Sequence, residues 1–369
     1  MSSTVHFVNF RSRSRADSKS GKLVKLFDAA GFPRLITPGA LVAVKVHFGE
    51  LGSDCFVRPV FVRAVVDRIR ELGGRPFVTD TNTLYSGSRY HAVDHMETAI
   101  RHGFSFASVN APVIVADGLL GENVMEFSIN KKHFSQVKLA GAYAKADVCI
   151  MFSHFKGHEL AGFGGAIKNL AMGCAPGAGK REQHSPRFQV DAETCIGCGE
   201  CERICPVQAA VVGADAKAVI DKALCIGCGE CFQCCPTKAV QIDWATQIPP
   251  FMERMTEYAL GAHLQKAGRI GYINFVMDVT PDCDCLPWSD APIVPDVGIL
   301  ASGDPVALDQ ASLDLVNAQE ALPGTHLCAG HACGENKFNH LWSHTQGELQ
   351  LSYGEEIGLG SRAYTLAEC

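Results

Sequence analysis

Eight of the seventeen cysteines in this chain fall into two runs with the same spacing. In each run two residues separate the first three cysteines, three residues precede the fourth, and a proline follows it. Thiolates in this pattern hold [4Fe-4S] clusters, and the fourth cysteine of each run ligates the cluster of the other run. The pattern predicts one cluster on Cys195, Cys198, Cys201 and Cys235, and a second on Cys225, Cys228, Cys231 and Cys205.

Glycines inside the two runs agree with cluster chemistry, because they let the backbone pass close to the inorganic sulfides. They are Gly197, Gly199, Gly227 and Gly229. Structural zinc is the alternative, since it also uses pairs of cysteines two residues apart, but the tandem runs favour iron–sulfur clusters. Cys234 is interpreted as a bystander thiol.

Residues 190–245 resemble the bacterial two-cluster ferredoxins, and the heptapeptide CIGCGEC occurs in them at 195–201 and again at 225–231. The resemblance implies a small α+β module that carries electrons and docks to a redox partner protein.

A second candidate site lies at 153–184, where glycines, lysines and histidines occur together. Gly162, Gly164 and Gly165 predict a loop that approaches a ligand or cofactor closely. A helix from about residue 166 would offer its N-terminal amides to an anion, with Lys156 and Lys168 nearby. The alternative is a tight turn packed by glycine.

Further residues able to bind a metal are found later in the chain. A third metal site for zinc, nickel or iron is predicted on Cys283, Cys285, Cys328, His331 and Cys333. Other metal-capable residues are His154 and Cys174. The alternative for this whole set is reduced, partly buried thiols and ordinary histidines. Cys55, Cys149 and Cys369 are assigned no function.

The elements that position these residues alternate between strand and helix patterns. Strands are predicted at 5–10, 41–46, 76–79, 113–116, 148–152, 269–277 and 297–300, and helices at 58–72, 94–103, 250–266 and 305–317. This alternation predicts an α/β body with a mainly parallel sheet and helices on both faces. Residues 1–189 and 246–369 would form the body, and residues 190–245 would interrupt it as an inserted domain.

Polar residues follow two of the predicted strands. They are Lys45, His47, Glu50, Asp80 and Asn82. Ligands of open α/β sheets gather at the carboxyl ends of strands, so these residues are candidates for the same cleft as the 153–184 loop. Simple loop polarity is the alternative. Neither a dinucleotide-binding GxGxxG after a strand, a P-loop nor a GxSxG elbow occurs.

Composition excludes several classes of partner. The net charge of −6 gives no broad basic surface for nucleic acid, and no apolar run has the length of a membrane helix. The N-terminal residues have no signal-peptide pattern, so we expect a protein of the cytoplasm. In that compartment a high cysteine content indicates metal binding more than disulfides, and we expect the protein to be sensitive to oxygen.

The flanking body resembles the DUF362 family of iron–sulfur proteins. The resemblance is carried by residues 153–175, 283–285, 291–310 and 353–361. It supports the architecture more than any one activity.

Residues 158–168 also resemble a motif of the nickel-pincer lactate racemases. That resemblance implies that Lys168 bonds a nicotinate-derived cofactor and that His158 and His184 coordinate nickel. The segment 78–85 departs from the family because it lacks a third histidine, and His91 is a poor substitute.

Three functions are compatible with these patterns. The first is an oxidoreductase in which electrons pass through two clusters to a small anionic substrate held near Lys156, His158, Lys168 and His184. There the lysines would pair charge or bond a cofactor, and the histidines would bind metal or move protons. The second is a ferredoxin-like carrier without catalysis, and the third is a metal-dependent isomerase.

Overall fold

The computed structural model describes residues 2–14, 17–85, 87–185, 187–225, 227, 229–243 and 248–369. Cys228 and the predicted domain boundary at 245 lie outside these residues. The strands are β1 Ser3–Asn9, β2 Leu41–Lys45, β3 Arg75–Asp80, β4 Val113–Val115, β5 Val124–Ser128, β6 Gln136–Ala140, β7 Val148–His154, β8 Lys156–His158, β9 Gly162–Gly164, β10 Arg187–Val190, β11 Ala210–Val212, β12 Ala218–Ile220, β13 Val240–Asp243, β14 Ile270–Val276, β15 Gly298–Ser302 and β16 Tyr364–Glu368. The helices are α1 Lys19–Ala29, α2 Pro59–Glu71, α3 Ala92–Arg101, α4 Phe106–Val109, α5 Gly141–Lys145, α6 Ala166–Gly173, α7 Gly177–His184, α8 Glu200–Ile204, α9 Glu230–Cys234, α10 Ile248–Gln265, α11 Pro305–Asn317, α12 Lys337–Leu341 and α13 Leu349–Glu356.

Eight strands form the central sheet, in the order β16-β1-β15-β14-β7-β2-β3-β4. Strands β14, β7, β2, β3 and β4 run parallel to one another. Strand β15 pairs antiparallel with both β14 and β1, so the sheet is mixed but mainly parallel. The predicted α/β class with a mainly parallel sheet is therefore confirmed.

Helices cover both faces of this sheet. Successive side chains of each strand point to opposite faces, so one strand contributes to the apolar core on either side. Val42 and Val44 of β2 belong to the core shared with α1 and α2, whereas Ala43 belongs to the core shared with α6, α10 and α11. The predicted helix at 58–72 is observed as α2. It starts at Pro59 and ends before Gly73, which has a φ of 83°.

Four adjacent parallel strands end at the same edge of the sheet. Lys45 ends β2, Asp80 ends β3 and His154 ends β7. The loop after β14 carries Cys283 and Cys285. This edge places the sequence-distant polar residues together, as expected for ligand sites in open α/β sheets.

Residues 187–243 contain two small sheets, β10–β13 and β11–β12, with α8 and α9. They have a separate small core that includes Phe188 and Val240 and three of the predicted cluster cysteines, Cys195, Cys201 and Cys231. Helices α8 and α9 were not predicted from the sequence. Each has only five residues, which is too few to show a helical periodicity.

Every helix in the described part of the chain is too short or too polar to cross a bilayer.

Candidate functional site

A cavity of about 570 Å³ opens at the carboxyl edge of the sheet. Its walls come from the ends of β2, β3 and β7, the β8–β9 hairpin, the helices α6 and α7, and the loop after β14. The residues predicted for the second site that line it are Lys156, His158, Gly164, Gly165, Lys168 and His184. Lys45, His47, Glu50, Asp80, His154, Cys283 and Cys285 also line it.

Two predicted residues lie elsewhere. Gly162 does not line the cavity; a Cβ at this position would lie 2.8 Å from Gly347 Cα, so the glycine serves close packing of the chain. Asn82 does not line the cavity either; its Oδ1 lies 3.3 Å from His95 Nδ1.

Buried charges form a network along one side of the cavity. Lys45 Nζ lies 2.9 Å from Asp80 Oδ1, and Arg89 Nε donates to Glu50 Oε2 at 3.0 Å. Burial alone would raise the pKa of Asp80, but Lys45, His47, His95 and Arg89 together outweigh burial and hold it well below its ordinary value. Asp80 is therefore charged at neutral pH.

Lys180 contributes a further buried cation. Its Nζ donates to Thr81 Oγ1 at 2.6 Å and to the carbonyls of Asn82 and Ala175, each at 2.7 Å. Burial lowers the pKa of Lys180 to about 8. The three acceptors of its ammonium are neutral and do not compensate its charge as a carboxylate would. Its amine consequently changes charge closer to neutral pH than an ordinary lysine does.

The carboxylate of Asp284, the residue between the two cavity cysteines, contacts the side chains of His154 and Lys156. His154 Nδ1 lies 2.8 Å from Asp284 Oδ1, and Lys156 Nζ lies 3.5 Å from Oδ2. His154 Nε2 faces the Met277 carbonyl at 2.8 Å, so both of its ring nitrogens are engaged and neither remains for a metal. Burial opposes the charge of Asp284, but His154 and Lys156 keep the pKa of its carboxyl well below the ordinary value.

The Cys283 thiol lies in a group of donors. Lys168 Nζ donates to Cys283 Sγ at 3.6 Å. A hydrogen bond from Cys285, with smaller contributions from Lys168, Lys156 and His158, lowers the pKa of Cys283 well below its ordinary value, although burial acts in the opposite direction. The same hydrogen bond and burial raise the pKa of Cys285. Cys283 is therefore the thiolate of the pair and Cys285 the thiol.

Two histidines of the cavity are neutral at physiological pH. Burial, reinforced by the positive charge of Lys168, lowers the pKa of His184 to about 3. The His184 ring stacks on Phe251 of α10 with centroids 5.1 Å apart. Burial and the charge of Arg89 likewise lower the pKa of His47 well below its usual value.

The N-terminal amides of α6 are already bound within the protein. Ala166 N and Ile167 N donate to the Asp309 carboxylate at 2.7 and 2.9 Å. The prediction that these amides face an anionic ligand is therefore wrong, because a buried internal carboxylate occupies them. Lysine side chains, and not the helix terminus, supply the positive charge.

The five residues predicted as a third metal site are not brought together. Among the described residues, Cys283, Cys285 and His158 form the one group of three with ligand atoms within 4.8 Å of one another. His331 Nε2 instead contacts the Leu327 carbonyl at 2.7 Å, and Cys333 donates to the Ala318 carbonyl at 3.0 Å. Cys328 and Cys333 are exposed, and neither they nor His331 line the cavity.

Cys174, predicted from the sequence as metal-capable, and the three cysteines assigned no function differ in burial. Cys149 and Cys174 are buried, and burial raises the pKa of both thiols. Cys369 is exposed and Cys55 is half-buried.

A second, small cavity lies in residues 187–243. The cysteines on its wall are Cys195, Cys198, Cys201 and Cys235. The turns around it have φ values in the left-handed region, including 67° at Gly197 and 77° at Gly199. A Cβ on Gly197 would lie 2.2 Å from the Ala216 carbonyl oxygen, so only glycine fits there.

Sequence reasoning missed Arg89, Tyr85, Lys180 and Asp284. Arg89 donates to the Tyr85 hydroxyl at 2.8 Å, and that hydroxyl donates to the Cys285 carbonyl at 2.9 Å. No motif marks Arg89 or Lys180. Asp284 had one usable signal, its position between two cysteines.

Comparisons with known proteins give one family and a few distant relatives. A thylakoid-associated protein of Synechocystis is 25% identical over 159 residues, which cover 42% of this chain and 45% of that protein. The lactate racemase apoprotein of Thermoanaerobacterium thermosaccharolyticum overlaps 75% of this chain and 51% of its own, with a TM-score of 0.38 and 12% identity. A Thermotoga maritima protein overlaps 78% and 57%, with a TM-score of 0.37 and 8% identity.

This chain thus spans about half the length of each of these relatives. Residues 42–314 match the family described as Domain of unknown function (DUF362). That match covers most of the α/β body and the whole cysteine-rich segment, and the chain belongs to the DUF362 family.

Proposed function

We propose that this protein is an iron–sulfur reductase. Residues 190–245 would form an inserted domain that holds two [4Fe-4S] clusters, and the cavity of the α/β body would bind a small anionic substrate. Clusters of this type exchange single electrons. The proposal is carried by one observation: Cys235 lies on the same small cavity as the first three cysteines of the other run.

The donor set around that cavity fits a cluster. Four thiols converge from two separate runs, as the interleaved ligand pattern requires. Ala218 N donates to Cys195 Sγ at 3.4 Å, so a backbone amide is already directed at a ligand sulfur. In the second set, Ala209 N donates to Cys205 Sγ at 3.2 Å and Gly227 N to Cys225 Sγ at 3.4 Å. The fourth thiol of that set, Cys228, lies outside the described residues.

The charge of the large cavity supports an anionic substrate. Its described lining includes the cations Lys45, Arg89, Lys156, Lys168 and Lys180, against the carboxylates Glu50, Asp80 and Glu159. Lys45 and Arg89 are compensated by carboxylates, as described above. Lys168 is paired with the Cys283 sulfur and not with a carboxylate in the described contacts, so its ammonium is the cation that we propose contacts the substrate.

The two cavities are close along the chain. His184 lines the large cavity, and Phe188 belongs to the small core that contains the cluster cysteines. Four extended residues span at most about 14 Å, which bounds the distance between their Cα atoms. In addition, Arg254 Nε of α10 donates to the Gln183 carbonyl of α7 at 3.0 Å, which ties together the helices on either side of the cysteine-rich segment.

Iron analysis tests the cluster part of the proposal. Protein purified without oxygen should contain about eight iron and eight sulfide per chain and should give a paramagnetic signal after dithionite reduction. Cys235→Ser should lose about half of the iron, because it removes a ligand of the first cluster. Cys234→Ser is the matched control and should keep all of it. Iron-free wild-type protein, or equal iron loss in both variants, would contradict the proposal.

Ligand binding tests the cavity part. Small carboxylates and disulfides are screened for stabilisation of the wild-type protein against heat. Ligands of the cavity should lose their effect in Lys168→Met and keep it in Lys132→Met, which removes an exposed lysine paired with Glu253. If the protein is instead a carrier without catalysis, no anion should stabilise the wild-type protein more than the Lys168→Met variant.

The isomerase alternative has one favourable observation, since Lys168, His158 and His184 all line one cavity. A mass increment on Lys168, with nickel present in stoichiometric amount, would establish that alternative over the reductase.

A further inference from the structure

We propose that Cys283 and Cys285 form a dithiol–disulfide couple that reduces a small anionic disulfide bound in the cavity. This inference deepens the proposed function, and it rests on that proposal for the source of its electrons. The thiol chemistry itself depends on residues of the α/β body alone.

Both thiols are positioned for such a couple. Cys283 and Cys285 line the cavity, and their Sγ atoms lie within 4.8 Å of each other. A disulfide between them requires the two sulfurs to approach to about 2.05 Å. Asp284 anchors the segment between them, because its carboxylate holds His154 at 2.8 Å and its carbonyl accepts from Glu50 N at 2.8 Å.

The surroundings of the pair assign different roles to the two sulfurs. Cys283 Sγ accepts a hydrogen bond from the Lys168 ammonium at 3.6 Å, which favours its thiolate form. The thiolate is the nucleophilic form of cysteine. The same ammonium attracts an anionic substrate toward that thiolate. The Tyr85 hydroxyl donates to the Cys285 carbonyl at 2.9 Å and fixes the backbone of the second cysteine, which we assign as the resolving thiol.

A metal ion is the other use for two thiols and an imidazole, and the hydrogen bonds of His158 argue against it. Its Nδ1 accepts from Leu160 N at 3.0 Å and from Ala161 N at 3.1 Å. The proton of the neutral ring therefore sits on Nε2, where it is a donor to a thiolate. A metal-binding histidine has the reverse pattern, with one nitrogen free of protons and the other donating to an oxygen acceptor.

The reaction balances with these residues. The Cys283 thiolate attacks one sulfur of the substrate disulfide; the S–S bond breaks, and the first thiolate leaves and takes up a proton. The Cys285 sulfur then attacks Cys283 in the mixed disulfide. The Cys283–Cys285 disulfide forms, and the second substrate thiol leaves with the Cys285 proton. Two electrons, delivered one at a time by the proposed clusters, and one proton then return the pair to the Cys283 thiolate and the Cys285 thiol. The whole cycle therefore consumes two electrons and two protons per substrate disulfide.

Peptide-resolved mass spectrometry tests the couple with dithiobis(nitrobenzoate), an anionic disulfide, as the probe. Oxygen-free protein is treated with one equivalent, quenched with acid and alkylated. Wild-type protein should yield an internal Cys283–Cys285 disulfide. Cys285→Ser should retain a mixed disulfide on Cys283, and in Cys283→Ser the remaining Cys285 should stay unmodified. Lys168→Met should slow the reaction severalfold, because it removes the ammonium that stabilises the Cys283 thiolate and attracts the anionic probe.

Cys328 and Cys333 are internal references, since both are exposed and lie outside the cavity. The inference fails if the cavity pair is alkylated while these exposed thiols carry the probe, or if Cys283 and Cys285 react equally when alone. It also fails if the protein contains one equivalent of zinc or nickel that both serine variants lose. Absence of iron would instead contradict the proposed function, so the two failures are distinguishable.

Discussion

At the scale of single residues, Asp284 is the shared partner of two buried basic side chains at the cavity. Its carboxylate binds His154 and Lys156, and all three side chains are buried. Removing one partner of a buried ionic group leaves the others uncompensated, which is more costly than the pair itself is favourable.

We predict that Asp284→Asn lowers the free energy of unfolding by about 3–5 kcal/mol, because His154 and Lys156 lose their counter-charge. Urea unfolding followed by circular dichroism measures the change. The control is Asp290→Asn, an exposed aspartate in the same loop, for which we expect a change within about 0.5 kcal/mol. Equal effects of the two substitutions would show that Asp284 does not compensate these cations.

Lys180 gives a prediction for pH. Its pKa is about 8 in the folded protein and near the ordinary 10.5 in the unfolded chain. Between those values the unfolded chain binds more protons, so the contribution of Lys180 to stability rises with pH across that window, by about 3 kcal/mol in total. Below pH 8 both states are protonated and the cost of burying the cation is fully present.

Lys180→Met should remove this dependence. We predict that the difference in unfolding free energy between wild type and variant shifts in favour of the wild type as pH rises from 8 toward 10. Chemical unfolding at several pH values measures it, with the exposed Lys132→Met as reference. Parallel curves for wild type and Lys180→Met would rule out a depressed lysine pKa.

At the scale of elements, the start of α6 shows how packing sets the position of Lys168. The Asp309 carboxylate binds the first amides of the helix, and it lies directly against Gly165. A Cβ on Gly165 would be 2.3 Å from Asp309 Oδ1 and 2.8 Å from Phe155 Cδ2. The close approach of this carboxylate to the backbone is therefore possible only with glycine.

Gly165→Ala should destabilise the protein by about 1–3 kcal/mol or more through overpacking. It should also weaken binding of cavity anions, because Lys168 lies in the first turn of the displaced helix. Thermal unfolding and ligand titration report the two effects. Gly303→Ala, where a Cβ would meet nothing within 4 Å, should change neither. A neutral Gly165→Ala would mean that the helix start can move without cost.

Local sequence patterns predicted seven of the eight strands of the central sheet, all but β16, because a strand pattern depends on neighbours in the chain. The apolar stripe of α2 and the polar residues at the ends of β2 and β3 are local patterns of the same kind. The partners of Lys180 and of the α6 amides could not be predicted, since Asn82 and Asp309 lie 98 and 143 residues away. For the same reason the grouping of His158 with Cys283 and Cys285, and not with the distant Cys328, needed the folded structure.

At the scale of the whole molecule, the body and the cysteine-rich segment differ in what stabilises them. The body has two extensive apolar cores, one on each face of the sheet. The segment has a small core in which cysteines such as Cys195 and Cys201 take the place of larger side chains. Small units of this size usually need a metal or a covalent cross-link to fold.

We predict that removing iron with a chelator under reducing conditions unfolds residues 188–240 and leaves the body folded. Hydrogen exchange should show lost protection in α8 and α9 and unchanged protection in β2, β7 and β14. Uniform loss of protection across the chain would show that the body depends on the segment. Full protection of residues 188–240 without iron would show that their apolar core suffices.

The first strand of the sheet has neighbours from the far end of the chain. Strand β1 pairs with β15 and β16, whose residues come about 290 to 360 positions later. During synthesis on the ribosome, its backbone amides and carbonyls therefore stay without their sheet partners until residues 298–301 and 364–368 have emerged. Closure of this edge is a late event, and loss of the last few residues would expose a strand capable of pairing with another copy.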